Sequence, residues 1–427
     1  MNLAMGLRKR VDRRLPAGAA NFWIHLSEGV FASFAGELLA AGVVFPMLAA
    51  ALGVSPAFLG VLAAVESLGF VAPLVAAPRV EAVRRKKRLV LFLGIGQRLP
   101  LAATALLLLF LARPAPRLCL ILIALLNLGT VMVVSVLVPP WLDLVAETIP
   151  KGRVGRLFGF RSGASAAMGL AAGAACTAIL STVSFPGNFA LLYVAGFASM
   201  VVSWLLFALV DELPADAAPK QAQPARRYFR DLVAAIRRDR AYLYYLAYQG
   251  IGRLGFVATP FYAMAAALYY GAGPRHVGLF IASGAAARIV GNFAFSFLDP
   301  RIGHKRMLGL GAALHGAAAL LAASAPSAER FAGVFFLGGL GAAAQTVSGN
   351  PFLMEICPRG RRIGYMSMSQ AVLAPVGMAA APLAGWFMEA VGHGPLFALA
   401  AVAILAALLP LERCAPNVPT EKPSGKE

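Results

Sequence analysis

The chain has 427 residues, 59% of them hydrophobic, and a mean hydropathy of +0.74. That apolar share exceeds the roughly 45–50% of soluble domains and excludes an ordinary soluble fold. The net charge of +19 does not point to nucleic acid as a partner, because Lys and Arg lie in short clusters between apolar stretches, where they set membrane topology.

Residues 1–19 form a basic N-terminus containing RKRVDRR (Arg8–Arg14). No short apolar segment with a small-residue cleavage site follows it, so no removable signal peptide is expected. Apolar runs of about 20 residues, the length that spans a bilayer as a helix, then recur between charged or Pro/Gly-rich breaks. The predicted spans of the first half, residues 20–210, are 20–51, 56–78, 89–111, 118–140, 157–182 and 188–210. A linker over 211–240 follows, whose RRYFRDLVAAIRR places Phe229, Leu232, Val233 and Ile236 on one helical face. It reads either as an amphipathic helix on the membrane surface or as a solvated linker. The second half, residues 241–411, is predicted to hold spans at 241–270, 275–298, 306–324, 330–356, 364–389 and 395–411, with a disordered cytoplasmic tail over 412–427. The fold class is therefore an all-α polytopic membrane protein of twelve transmembrane helices.

One set of loops, with both termini, holds 30 of the 38 Lys and Arg, whereas the opposite loops hold only Arg113, Arg117, Arg275 and Arg330. This asymmetry predicts that both termini are cytoplasmic and that the chain is a multi-pass protein of the cytoplasmic (inner) membrane. The four cysteines, Cys119, Cys176, Cys357 and Cys414, match no metal or disulfide spacing. No metal and no cofactor is expected.

Charges inside the spans are the candidates for function, since each costs roughly 3 kcal/mol or more unless it faces a partner or a cavity. Glu37, Glu66, Arg98, Arg253 and Arg288 fall near mid-span. Glu28 and Glu37, nine residues apart, lie about 180° apart around the first helix and cannot face one cavity. Glu37, the deeper, is read as the cavity residue, and Glu28 with His25 as an inter-helix or interfacial pair. Arg98 is read as a tie between helices, with Glu66 as its expected partner, or as a functional charge. The amides Asn127, Asn292, Gln345, Asn350 and Gln370 complete a polar lining or bond between helices. Tyr242, Tyr244, Tyr245 and Tyr248 are expected to form an interfacial aromatic belt.

One hydrophilic phrase occurs twice. ETIPKGR (Glu147–Arg153) follows the fourth span and EICPRGR (Glu355–Arg361) follows the tenth, 208 residues later. Equivalent loops of two six-span halves thus carry equivalent phrases. This resembles the major facilitator superfamily of secondary transporters, whose halves are related by an axis along the membrane normal. The resemblance covers essentially the whole chain. It implies that Glu147, Arg153, Glu355 and Arg361 pair across the cytoplasmic helix ends and latch one conformation; plain loop anchoring is the alternative. The superfamily's loop 2–3 signature is poorly kept in APRVEAVRRKKRL (Ala77–Leu89). Loop 8–9, DPRIGHKR (Asp299–Arg306), is closer, with Asp299 and Arg301 as further gating candidates, although Pro300 stands where the aspartate is usual. The signature of drug/proton antiporters is missing from the fifth span, and no subfamily is identifiable.

In such an architecture the seventh and eighth spans line or flank a central cavity. Arg253 and Arg288, with no acidic partner at their depth in the second half, are then the expected substrate-binding residues, with Asn127, Gln345 and Asn350. Glu37 and Glu66 are the expected proton-coupling carboxylates. The function implied is secondary active transport of a small solute, an organic anion or zwitterion, by alternating access coupled to protons. The protein is expected to be no enzyme, to be a monomer in the lipid bilayer, and to have the small-molecule substrate and protons as partners. There is no phosphate-binding Gly-x-x-x-x-Gly-Lys-[Ser/Thr] loop and no hydrolase or metalloprotease motif. Efflux of neutral or cationic drugs or hydrophobic compounds by the same fold, with Arg253 and Arg288 bound to Glu37 and Glu66 across the interface between halves, and a non-transporting membrane receptor or scaffold, are the alternatives.

Overall fold

The structure is a computed structural model that describes residues 19–40, 42–72, 76, 80, 83, 85–149, 151–212, 230, 233–234, 236–357 and 362–414. Among the described residues every regular element is helical. In chain order these are α1 (Ala19–Leu38), α2 (Val44–Ala51), α3 (Pro56–Ser67, continued by a 3-10 turn to Val71), α4 (Lys86–Leu111), α5 (Pro116–Thr148), α6 (Lys151–Thr182) and α7 (Gly187–Phe207). The second half comprises α8 (Arg240–Phe256), α9 (Thr259–Tyr270), α10 (Pro274–Ile302), α11 (His304–Ala323), α12 (Arg330–Ile356), α13 (Arg362–Ala390), α14 (His393–Ala406) and α15 (Leu408–Arg413). Among the described residues ten stretches are long and apolar enough to cross a membrane, and the chain is an all-α polytopic membrane protein.

The first span, expected to be continuous, is broken between α1 and α2, and the seventh is broken between α8 and α9. Both breaks precede a proline. Pro46 cannot donate to the carbonyl of Gly42, nor Pro260 to that of Phe256, so each break falls where the helical ladder lacks a donor. The chain crosses the first gap on Val43 N→Ala40 O at 2.8 Å and the second on Ala258 N→Gly255 O at 3.1 Å. Other starts follow local chemistry. Ser55 caps α3 by accepting from Phe58 N, and Asp239 caps α8 by accepting from Tyr242 N.

The halves meet through α6 against α10, α3 against α13, and α2 against α9. These contacts lie at the end of the bundle remote from the basic loops. Glycines allow backbones to approach there as is typical between membrane helices. A Cβ on Gly60 would lie 2.4 Å from the Ala381 carbonyl oxygen, and one on Gly385 would lie 2.3 Å from that of Pro56. One apolar cluster joins both halves at this end, including Met47, Leu48, Leu180, Ala263, Val277 and Met388. At the basic end the clusters separate. Val90, Leu144, Phe207 and Val210 belong to one half only, and Tyr242, Leu308, Phe352, Tyr365 and Leu411 to the other. Among the described residues, then, the bundle is shut at the remote end and parted at the basic end.

The basic N-terminus up to residue 18, the C-terminal tail beyond residue 414 and most of the linker, including Phe229 and Leu232, lie outside the described residues, while residues 412 and 413, expected to open a disordered tail, end α15. Ile236, at the linker's end, is buried in the cluster of the second half. Tyr242, Tyr245 and Tyr248 are also buried there, at 0%, 4% and 3% exposure, so these three do not form the expected interfacial belt. They stack on one another and on Tyr365 and Phe352. Spaced at i, i+3 and i+6, they share the inward face of α8.

Candidate functional site

Glu37 is the penultimate residue of α1, just before the break, and Arg288 lies midway along α10. Arg288 Nη2 donates to Glu37 Oε2 in an ion pair between the two halves. Both side chains are partly buried, at 32% exposure for Arg288 and 19% for Glu37. Gly169 of α6 flanks the pair. A Cβ there would stand 2.4 Å from Ala285 Cβ and 3.4 Å from Glu37 Oε2, so the glycine lets α6 close on α10 beside the carboxylate. The pair thus sits at the inner edge of the shut end. Arg288, expected to be free for substrate, has its acidic partner in the other half.

Glu66 and Arg253 are held differently. Glu66 Oε1 accepts from Asn127 Nδ2 of α5 at 3.0 Å. Arg253 Nη2 donates to Gln370 Oε1 of α13 at 3.3 Å, and no ion pair reaches either charge among the described residues. Ser67, beside Glu66, and the Arg253 side chain flank the same glycine. A Cβ on Gly377 would lie 3.4 Å from Ser67 Oγ and 4.0 Å from Arg253 Cδ. Of the other expected lining residues, Gln345 donates to the Tyr248 hydroxyl at 2.8 Å, Asn350 is exposed, and the Oδ1 of Asn292 is buried without a hydrogen-bond partner.

Arg98 does not reach Glu66. It donates to the carbonyls of Met200 at 2.6 Å and Gly94 at 2.8 Å, and to Gln97 Oε1 at 3.3 Å, which ties α4 to α7. The Glu28 and His25 side chains do not bond to each other either. A residue missed by the sequence reading, Arg161 of α6, donates to Glu28 Oε2 at 2.6 Å and to the His25 carbonyl. It also lies 5.0 Å from the Trp141 ring centroid. Ser203 donates to the other Glu28 oxygen, and His25 Nε2 meets Thr148 Oγ1. The fifth span was expected to begin at 157 by hydropathy, which put Arg161 near its edge. In the structure α6 starts at Lys151, so Arg161 enters the bundle almost three turns in.

At the basic end the repeated glutamates pair within their own halves. Lys86 Nζ lies 2.6 Å from Glu147 Oε1 and 3.3 Å from Asp143 Oδ2. In the second half His304 takes the equivalent place. Its Nδ1 lies 2.8 Å from Asp299 Oδ2, and its Nε2 lies 3.5 Å from Glu355 Oε1. Ser348 of α12 donates to Asp299 at 2.5 Å, so Asp299, one residue early in its motif, does contact a neighbouring helix. Burial, reinforced by Asp299 and opposed by His304, raises the Glu355 carboxyl above its ordinary range. Arg153 and Arg301 are exposed and make no ion pair among the described residues, and Arg361 lies outside them. Among the described residues Glu147 therefore makes no Glu–Arg latch in this conformation. Lys86 was read only as topological charge, and His304 was given no role within the DPRIGHKR motif.

A cavity of about 500 Å³ opens at the shut end, lined by Met47, Phe185, Asn188, Ala267, Val277 and neighbours. It contains none of the charged residues above.

None of the curated proteins matches this sequence. The family description Major Facilitator Superfamily matches residues 254–427. Among solved structures, a D-xylose–proton symporter aligns with a TM-score of 0.68 and 13% identity, over 93% of this chain and 98% of that one. A nucleoside transporter, NupG, gives 0.65 and 10% over 92% and 98%. A peptide transporter, POT, in complex with sulfate gives 0.70 and 14% over 92% and 94%. At these identities the likeness is one of fold, and it extends over both halves. The family match thus lies in the second half, while the likeness to the fold of these transporters extends over the whole length.

Proposed function

We propose that the protein is a secondary active transporter that carries a small organic anion or zwitterion across the cytoplasmic membrane by alternating access, coupled to protons. Arg253 carries this reading. A guanidinium among membrane helices with one amide for company and no acidic partner among the described residues is costly. A bound acidic group offsets that cost through charge-assisted, bidentate hydrogen bonds. The parted basic end gives a solute access to it from the side on which the charge asymmetry puts the termini, the cytoplasm.

Glu37 supplies the coupling step. A proton on its carboxyl removes the charge that Arg288 pairs, and the tie between the halves at the shut end weakens. The proton then leaves on the other side when the pair re-forms. Among the structural neighbours one is a proton symporter and another holds sulfate, an anion, which is compatible with both parts of the reading. The protein works as a monomer in the bilayer.

The test is uptake of a panel of labelled carboxylates and amino acids into vesicles carrying the purified protein. Arg253→Gln should abolish uptake of the compound the wild type carries. Glu37→Gln should retain exchange but lose accumulation driven by a pH difference. Accumulation by the Glu37→Gln variant would remove Glu37 from the coupling role, and Glu66 would be examined next. The Glu37–Arg288 pair favours one rival, efflux of neutral or cationic hydrophobic compounds, because it compensates one of the two arginines. That rival requires Arg253→Gln to keep full affinity. A receptor or scaffold would tolerate neutral replacements at Glu37, Arg253 and Arg288 alike.

A further inference from the structure

Inside the spans most charges are already matched. Glu28 is bound by Arg161, Glu37 by Arg288, and Arg98 by three oxygen acceptors. Two remain, one of each sign and one in each half. Among the described residues Glu66 has only the Asn127 amide and Arg253 only the Gln370 amide. Ser67, the residue after Glu66, and the Arg253 side chain flank one junction, where α3, α8 and α13 meet at Gly377, yet among the described residues Glu66 and Arg253 form no ion pair with each other. A half-buried carboxylate and a half-buried guanidinium, each capped by one neutral amide, present opposite charges to whatever enters between the halves.

We infer that Glu66 and Arg253 form a two-ended site for a zwitterion, the ammonium group of the solute on Glu66 and its carboxylate on Arg253. This rests on the transport reading above and narrows its substrate class, because a simple anion would leave Glu66 uncompensated. It also reassigns Glu66 from proton carrier to ligand contact. Asn127 and Gln370 are positioning residues that fix the carboxylate of Glu66 and the guanidinium of Arg253. The two halves must approach for both ends to be held, so the solute itself joins them across the parted end.

The experiment uses the full-length protein in lipid nanodiscs and reads thermal stabilisation by linear ω-amino acids of increasing chain length. The controls are the carboxylates and amines of the same lengths. The wild type should be stabilised most by a zwitterion of one preferred length. Glu66→Gln should weaken that zwitterion by on the order of 30-fold, to the level of its carboxylate counterpart, whose own binding stays unchanged. Glu66→Asp, which keeps the charge but withdraws it by one methylene, should move the preference to a longer probe. A merely structural carboxylate would not produce that shift. The proposal is overturned if no zwitterion stabilises the wild type beyond its carboxylate counterpart, or if Glu66→Gln leaves zwitterion affinity intact. In either case carboxylate binding that depends on Arg253 would leave the anion reading standing. Carboxylate binding that survives Arg253→Gln would remove that reading as well.

Discussion

Glu37 and Arg288, 251 residues apart, form an ion pair between the first helix of one half and the second helix of the other. It stands where α6 and α10 close, with Gly169 and Ala285 in contact beside it. A bond that exists only while the remote end is shut biases a two-state equilibrium toward that state. Arg288→Gln should therefore shift the population toward opening at the remote end. A coupling of about 1–3 kcal/mol corresponds to a shift of about 5–150-fold. Labelling of a cysteine placed at Ala384, buried at that end, would report it in a background free of native cysteines. Equal labelling in the variant and the parent would mean that the pair does not hold the halves.

The shut end also depends on the absence of side chains. A Cβ on Gly278 would meet Thr177 Oγ1 at 1.8 Å and the Gly173 carbonyl oxygen at 2.4 Å, and one on Gly60 would meet a backbone oxygen at 2.4 Å. Backbone cannot swing aside as a side chain can. Gly60→Val should thus prevent α3 from seating on α13 and favour the conformation parted at the remote end, with overall stability changed less than accessibility. The same Ala384 cysteine reports the outcome. Unchanged labelling would show that α3 and α13 can separate locally without opening the bundle.

Apolar run length and the repeated phrase made the two six-helix halves legible in the sequence. Hydropathy counts residues and does not see the missing donors of Pro46 and Pro260, so run length alone does not place the breaks in the first and seventh spans. The mid-span charges were legible as a set because each is costly in lipid. Their pairing was left open, with Arg253 and Arg288 either on the substrate or, in the efflux alternative, on Glu37 and Glu66. Glu37 meets Arg288 across 251 residues and Glu28 meets Arg161 across 133, separations over which no local pattern operates. Arg161 was passed over because it stands ahead of the most apolar stretch of its helix.

The Arg161–Glu28 pair makes a stability prediction. Its side chains are 18% and 11% exposed, so removing one partner leaves a charge in a poorly solvated place. Arg161→Met should cost about 3–5 kcal/mol, as for other buried pairs broken on one side, read as a lower melting temperature in nanodiscs. Adding Glu28→Gln removes the orphaned charge and should restore most of the loss. If the double variant is as unstable as the single one, the packing of Arg161 on Trp141, rather than its charge, is what stabilises α6 against α1.

The basic end contains the same clamp in two chemistries, and the difference is testable by pH. Lys86 holds Asp143 and Glu147 in the first half, whereas His304 faces Asp299 and Glu355 in the second. Two carboxylates thus face an imidazole in the second half, whereas two face an ammonium in the first. The other charges near it, Arg301 and Lys305, are respectively exposed and bound to Glu412. Glu355 is raised above its ordinary 4.5 by burial first and Asp299 next. A carboxyl with a raised folded pKa contributes stability that is present below about 4.5 and is lost as pH rises through the folded value. Glu355→Gln abolishes that loss, so the melting temperature of the variant relative to the wild type should increase from acidic to neutral pH. His304→Lys, which copies the permanent charge of the other half, should flatten the wild-type profile in the same window. Parallel melting curves for all three proteins across that range would mean that Glu355 does not change its protonation on folding.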